Sequence, residues 1–414
     1  MDCVHYQNDQ LYIEQVSLAD IAKQFGTPCY VYSKQKLLDN WQQFDRAFAY
    51  HPHHICYAVK ANSNLAILNL FAKLQSGFDI VSLGELERVI KAGGDPQKIV
   101  FSGVGKKPNE IIRALEVKIY CFNVESEVEL ARLNDIAACQ KKIAPICLRI
   151  NPNIDARTHP HIATGLNENK FGIAYADVLS IANKIHTLKH LKLIGIGSHI
   201  GSQIMTLDPF LAAIDRLLEL VSPLTAKNMP LEHINIGGGL GVNYQNETAP
   251  SIQEYAAALK QKLVTCPLNV VLEPGRAIAA NAGILLTTVE YVKQTEHKNF
   301  VIVDAAMNDL LRPALYNAWH PIEPVTLRKD IPQKIVDIVG PVCESADFLG
   351  KERLLSIEAG DLLAVYSAGA YGFSMSSNYN SRPRAAEIEV DKNQVHLIRA
   401  RETIQDLFVH ERIV

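Results

Sequence analysis

Between about Lys34 and Gly283 the chain alternates short apolar runs with longer amphipathic stretches, and this rhythm narrows the choice of fold more than any other feature. The first run, Ile55-Cys56-Tyr57-Ala58-Val59, ends in Lys60. Strand-like runs follow at Phe78–Ser82, Lys98–Gly103, Ile119–Val124, Ala144–Asn151, Leu191–His199, His233–Gly237 and Val270–Glu273, eight with the first. Helix-period patterns precede or separate them, among them Lys36–Tyr50, Asn64–Gln75, Gly84–Ala92, Glu125–Lys141, Tyr175–Leu188 and Pro209–Leu224. Strands alternating with helices imply a parallel sheet, and eight such units in about 250 residues match a closed (β/α)8 barrel of the TIM type. A doubly wound open sheet is the alternative.

After Gly283 the helical rhythm stops. Ile284–Thr295, Phe300–Asp304, Lys334–Val339, Asp361–Ser367, Ala386–Val390 and Gln394–Arg399 read as strands separated by turn residues, which predicts a C-terminal antiparallel β domain over 284–414. Leu11–Glu14 and Tyr30–Tyr32 are also strand-like, so 1–34 is expected to add strands to that domain and 35–283 to form the barrel. At 414 residues the chain is long enough for two cores. A net charge of −3 leaves no footprint for nucleic acid or an anionic membrane, and no run is apolar enough to span a bilayer. Met1–Gln10 is polar, without a secretory h-region, so the expected location is cytoplasmic. The eight cysteines form no C-x-x-C pair; reduced core thiols are expected, and no metal site.

A barrel of this kind carries its chemistry at the C-terminal ends of its strands, often with a phosphate held after strands seven and eight. Lys60 sits at such an end. Desolvation there would favour the neutral amine that attacks a carbonyl, whereas a lysine merely leaving a strand would snorkel into solvent. After the seventh run comes Gly237-Gly238-Gly239-Leu240-Gly241, whose missing side chains let backbone N–H groups approach an anion. After the eighth comes Glu273-Pro274-Gly275-Arg276; after the sixth, His199-Ile200-Gly201-Ser202-Gln203. Taken singly, the glycine run is equally well a tight turn and the histidine structural. Taken together, a Schiff-base lysine, a carboxylate able to pair with a pyridine nitrogen, a flat imidazole and a phosphate cradle describe pyridoxal 5′-phosphate.

Tyr57-Ala58-Val59-Lys60-Ala61-Asn62 and the three loops above resemble the barrel-type PLP-dependent decarboxylases over nearly the whole chain, most closely the diaminopimelate decarboxylases. The resemblance implies decarboxylation of meso-2,6-diaminopimelate to L-lysine, the last step of lysine biosynthesis. It implies that Lys60, His199, Ser202, Gly238, Gly239, Glu273, Gly275, Arg276 and Tyr371 hold the cofactor. Arg276, Arg312, Tyr316, Glu344 and Tyr371 would then hold the substrate: Arg312 and Tyr316, from Asp304–Tyr316, its distal carboxylate, and Glu344 its distal ammonium. Cys343, in Gly340–Asp347, would protonate the carbon that loses CO2. Cys343, Glu344 and Tyr371, the last in Ala368–Met375, are implied to reach the site of the other subunit of a homodimer. Asp79 and Glu85 take supporting positions, and Thr158–Gly165 with Lys170–Ile173 resembles a covering loop. Rivals on the same fold are decarboxylases of ornithine, arginine or carboxynorspermidine; ornithine and arginine lack a distal carboxylate, so an arginine facing them would be an unpaired like charge. A racemase would need a second base, and a non-catalytic relative would need neither Lys60 nor Cys343.

Overall fold

The computed structural model describes residues 3–155, 164–165 and 170–414. Eight parallel strands pair in chain order: β1 (His53–Ala58), β2 (Gly77–Ile80), β3 (Ile99–Phe101), β4 (Cys121–Val124), β5 (Ala144–Asn151), β6 (Leu191–Gly197), β7 (His233–Asn235) and β8 (Asn269–Leu272). β8 pairs back to β1, from Val270 opposite His53 to Leu272 opposite Ile55, which closes the barrel and excludes the open sheet. Closure abolishes sheet edges and turns all eight C-terminal strand ends toward one rim.

Several strands are shorter than their apolar runs. β1 stops at Ala58, and Val59–Ala61 is a single 3-10 turn, so Lys60 lies just past the strand instead of closing it. The run reads as strand because Val59 and Ala61 are buried too, and burial selects apolar residues whether or not the backbone stays in the ladder. The outer helices begin where short side chains can satisfy their first N–H groups. Ser82, Ser126 and Ser251 accept from the backbone N–H of Glu85, Glu129 and Glu254, the Ser-x-x-Glu spacing of an N-terminal cap. Inside the barrel, Cys56, Val100, Cys121, Cys147, Ile194 and Val271 pack together. Those three thiols are buried filler, pushed well above the usual thiol range by desolvation. All eight cysteines are free.

The β region is largely antiparallel, as expected, with two parallel pairings. Its nine-stranded sheet is built on Gly283–Gln294, which pairs antiparallel with Cys29–Ser33, Leu362–Val365 and Asn299–Val303. Two pairings are parallel, Asn299–Val303 with Lys334–Val339 and Cys29–Ser33 with Ala386–Asp391. The second arises because a strand from before the barrel is inserted between two from after it, so no hairpin sets its direction. Leu11 takes another course, in a three-stranded sheet of Val4–Gln7, Gln10–Ile13 and Val16–Ser17. Phe348–Leu355 and Ile322–Pro324 are further strands without a clear apolar alternation. The chain divides into two compact units, Asn40–Val242 with Thr248–Ala277, and Met1–Asp39 with Asn243–Glu247 and Ile278–Val414.

Candidate active site

Lys60, His199, Ser202, Gly238, Gly239, Glu273, Gly275 and Arg276 all lie in the segments that follow β1, β6, β7 and β8, at the C-terminal rim of the barrel. Lys60 Nζ donates to Asp79 Oδ2 at 2.6 Å, with Asp79 fully buried and the lysine side chain 35% exposed. The amine is therefore aimed by an ion pair, not held in an apolar pocket as its place after an apolar run suggested. Asp79, expected only to support the site, touches its central residue.

From Asp79 a hydrogen-bonded floor crosses the barrel. Ser102 Oγ donates to Asp79 Oδ1 at 2.7 Å, and Asn123 Nδ2 donates both to Ser102 Oγ at 2.9 Å and to Glu273 Oε1 at 3.0 Å. Asn235 Nδ2 donates to the same Glu273 oxygen at 2.6 Å. Burial, and then the charge of Asp79, raises the Glu273 carboxyl to about 7, against the pull of Lys60 and the Asn235 hydrogen bond. A carboxyl so placed exchanges its proton near neutral pH, which suits a partner for a basic ring nitrogen. Glu85 is also raised to about 7 by burial, while its carboxylate accepts from the Val81 N–H.

His199 is held neutral, well below its ordinary range, by desolvation and by the nearby charges of Arg149 and Lys60. Its Nδ1 accepts from the Gly238 N–H at 3.2 Å, so the ring proton sits on Nε2. The glycines are required by close approach. A Cβ on Gly238 would lie 2.1 Å from the Glu273 carbonyl oxygen, and one on Gly239, at φ +106, 2.3 Å from that of Gly201. A Cβ on Gly275 would lie 3.0 Å from the Cβ atoms of Ala58 and Ala61, one on each side of Lys60 in sequence. Arg276 Nη2 donates to Ser202 Oγ at 3.0 Å, joining the loops after β6 and β8.

Lys60, Asn123, Arg149, Ser198, His199 and Glu273 border one cavity. A second is bordered by Gly237, Gly238, Gly239, Gly275 and Arg276. Ser198 Oγ is buried with no hydrogen-bond partner among the described residues. An amine, a protonatable carboxyl, a flat neutral imidazole, a hydroxyl with unused capacity and a cradle without side chains fit pyridoxal 5′-phosphate. Ser102, Asn123, Arg149 and Asn235 belong to this site and were missed in the sequence. Asn123 and Asn235 interrupt the apolar runs of β4 and β7, and a buried amide that needs partners was the available signal. Of the covering loop, 158–163 lies outside the described residues; Thr164 Oγ1 donates to the His199 carbonyl at 2.7 Å.

The other five residues lie in the β unit. Arg312 is 6% exposed; its Nη1 donates to His320 Nε2 at 2.8 Å, and its guanidinium lies 4.4 Å from the Tyr244 ring centre. His320 can accept there because its Nδ1–H donates to the Tyr366 carbonyl at 2.8 Å. Tyr316, half-buried, ends the short helix Arg312–Tyr316. Cys343 and Glu344 are exposed side by side, the Cys343 N–H donating to Asn380 Oδ1 at 3.1 Å and Tyr379 Oη to Glu344 Oε2 at 3.2 Å. Tyr371 has φ +55, a left-handed conformation that costs a non-glycine residue about 1–3 kcal/mol and recurs at functional sites.

Residues 34–280 match the family model described as pyridoxal-dependent decarboxylase, pyridoxal binding domain. The chain is 56% identical to the diaminopimelate decarboxylase of Vibrio cholerae and 54% identical to that of Pseudomonas aeruginosa, in each case over 100% of both chains. Among solved structures, the diaminopimelate decarboxylase of Helicobacter pylori, complexed with L-lysine, matches with a TM-score of 0.92 and 43% identity over 95% of this chain and 98% of that one. A full-length match at this identity, on a closed barrel whose rim fits pyridoxal phosphate, places the chain in the diaminopimelate decarboxylase family of pyridoxal-dependent decarboxylases.

Proposed function

We propose that the chain removes CO2 from the D-configured carbon of meso-2,6-diaminopimelate and releases L-lysine, using pyridoxal phosphate held at the barrel rim. The observation that carries this reading is the pairing, in one cavity, of the Lys60 amine with the near-neutral carboxyl of Glu273. When bound, the cofactor supplies an electron sink for the pair of electrons left on carbon as CO2 departs. Lys60 would hold the cofactor through its amine, which Asp79 aims. Glu273 keeps a proton at the ring nitrogen. His199 would face the ring, its neutral state sparing the site a competing positive charge. The backbone of Gly238, Gly239 and Gly275, with Ser202 and Arg276, would hold the phosphate, and Tyr371 would reach it from a second copy of the chain.

Substrate choice follows from the far end. Arg312, held flat between His320 and Tyr244, and Tyr316 take the distal carboxylate, joined by Arg276; Tyr371 also touches the substrate and Glu344 takes the distal ammonium. Cys343 Sγ gives its proton to the carbon that has lost CO2. The exposure of Cys343 and Glu344 on this chain supports their serving the site of a second copy, so the working form is a homodimer with shared sites. An assay of CO2 and lysine released from meso-diaminopimelate, beside ornithine, arginine and carboxynorspermidine, tests the reading. Equal or faster turnover of any of the other three would overturn the substrate assignment.

A further inference from the structure

We propose that Asn123 and Asn235 are positioning residues that hold Glu273 by one carboxyl oxygen and so reserve the other for the proton it shares with the ring nitrogen of the cofactor. This deepens the proposed function and rests on its assignment of Glu273.

Both amides donate to Glu273 Oε1, Asn235 at 2.6 Å and Asn123 at 3.0 Å. A carboxyl oxygen offers two lone-pair sites, and two donors fill them. A proton on Glu273 therefore resides on Oε2. Neither amide can turn over. Asn235 Oδ1 accepts from the Gly237 N–H at 2.9 Å, and a flipped amide would set its NH2 against that N–H and its oxygen against the carboxyl. Asn123 spends its second N–H on Ser102 Oγ, whose single hydroxyl proton goes to Asp79 Oδ1, while Asp79 Oδ2 holds Lys60. Each donor direction is thus fixed by the next, and Asp79, Ser102, Asn123, Asn235 and Glu273 are all buried. The charged or titratable groups that act on Glu273 are Asp79 of β2, Lys60 after β1, Arg149 of β5, and the thiols of Cys56, Cys121 and Cys147. None of these donates to its carboxyl, so among the described residues the two amides are the donors that favour its charged form. A carboxyl raised to about 7 is poised for them to matter near neutral pH.

The test compares cofactor-loaded wild-type protein with Asn123→Ala, Asn235→Ala, Asn123→Asp and Asn235→Asp. The visible absorption of the bound cofactor is titrated with pH, and kcat and KM are measured in parallel. Removing a donor disfavours the carboxylate, so the spectral midpoint governed by Glu273 moves up by about one pH unit in each alanine variant and further in the aspartates. kcat falls roughly tenfold to a hundredfold with KM within about twofold, the loss of one hydrogen bond to a charged group. Should the alanine variants not fold, the isosteric aspartates carry the same test. An unmoved midpoint in folded variants, even with lower thermal stability and kcat, would reduce the amides to packing and overturn the inference. Wild-type protein that takes up no pyridoxal phosphate would instead overturn the proposed function.

Discussion

Glu273→Gln should stabilise the cofactor-free protein at high pH while destroying its activity. The carboxyl titrates at about 7 in the fold against an ordinary 4.5, mainly because it is buried. A raised carboxyl pKa means that stability is fully present below about 4.5 and is lost as pH climbs through about 7, because the unfolded chain gives up the proton first. At 1.36 kcal/mol per pH unit, the gap between about 7 and 4.5 gives a penalty on the order of 3 kcal/mol once both states are ionised. Glutamine is neutral at every pH and keeps an oxygen for Asn123 and Asn235. Urea denaturation of the two cofactor-free proteins should give matching midpoints near pH 4.5. By about pH 8.5 the variant should be ahead by on the order of 3 kcal/mol, with unchanged denaturant dependence. kcat of the loaded variant should fall by orders of magnitude, since a glutamine cannot hold a proton at the ring nitrogen. A stability gap of the same size at both pH values would refute the assignment of a buried, proton-bearing carboxyl.

Three further outcomes follow from the geometry. Lys60→Ala should lose turnover by several orders of magnitude and leave no covalent cofactor on the protein after borohydride reduction, read by mass spectrometry. Gly239→Ala, which forces a Cβ to 2.3 Å from the Gly201 carbonyl at φ +106, should cost about 1–3 kcal/mol of stability and weaken cofactor affinity, measured by denaturation and by absorbance titration. Arg312→Lys keeps the charge but loses the planar contacts to His320 and Tyr244; KM for diaminopimelate should rise roughly tenfold to a hundredfold with a smaller change in kcat.

Much of the barrel was legible because period is a local property. Each apolar run needs only its own residues to announce a strand, and eight runs interleaved with helices leave few ways to close. Strand ends were less legible, since the buried turn Val59–Ala61 is as apolar as the strand before it. The largely antiparallel sheet was legible too, but its two parallel pairings were not: Cys29–Ser33 meets Ala386–Asp391 from hundreds of residues away, and nothing near it in sequence records that direction.

The same division holds at the site. Lys60, the glycine loops and Glu273 stood out because a charge or a run of glycines at the end of an apolar strand contradicts its surroundings and asks for a reason. By itself the sequence determined that a lysine, a carboxyl and an anion cradle share one rim, for the barrel topology turns every strand end the same way. Only the tertiary structure decided that Lys60 is aimed by Asp79, and that Asn123 and Asn235 meet on one oxygen of Glu273. Those contacts depend on how strands far apart in sequence are staggered around the barrel, and register is set by the packing of the whole ring, not by any one strand.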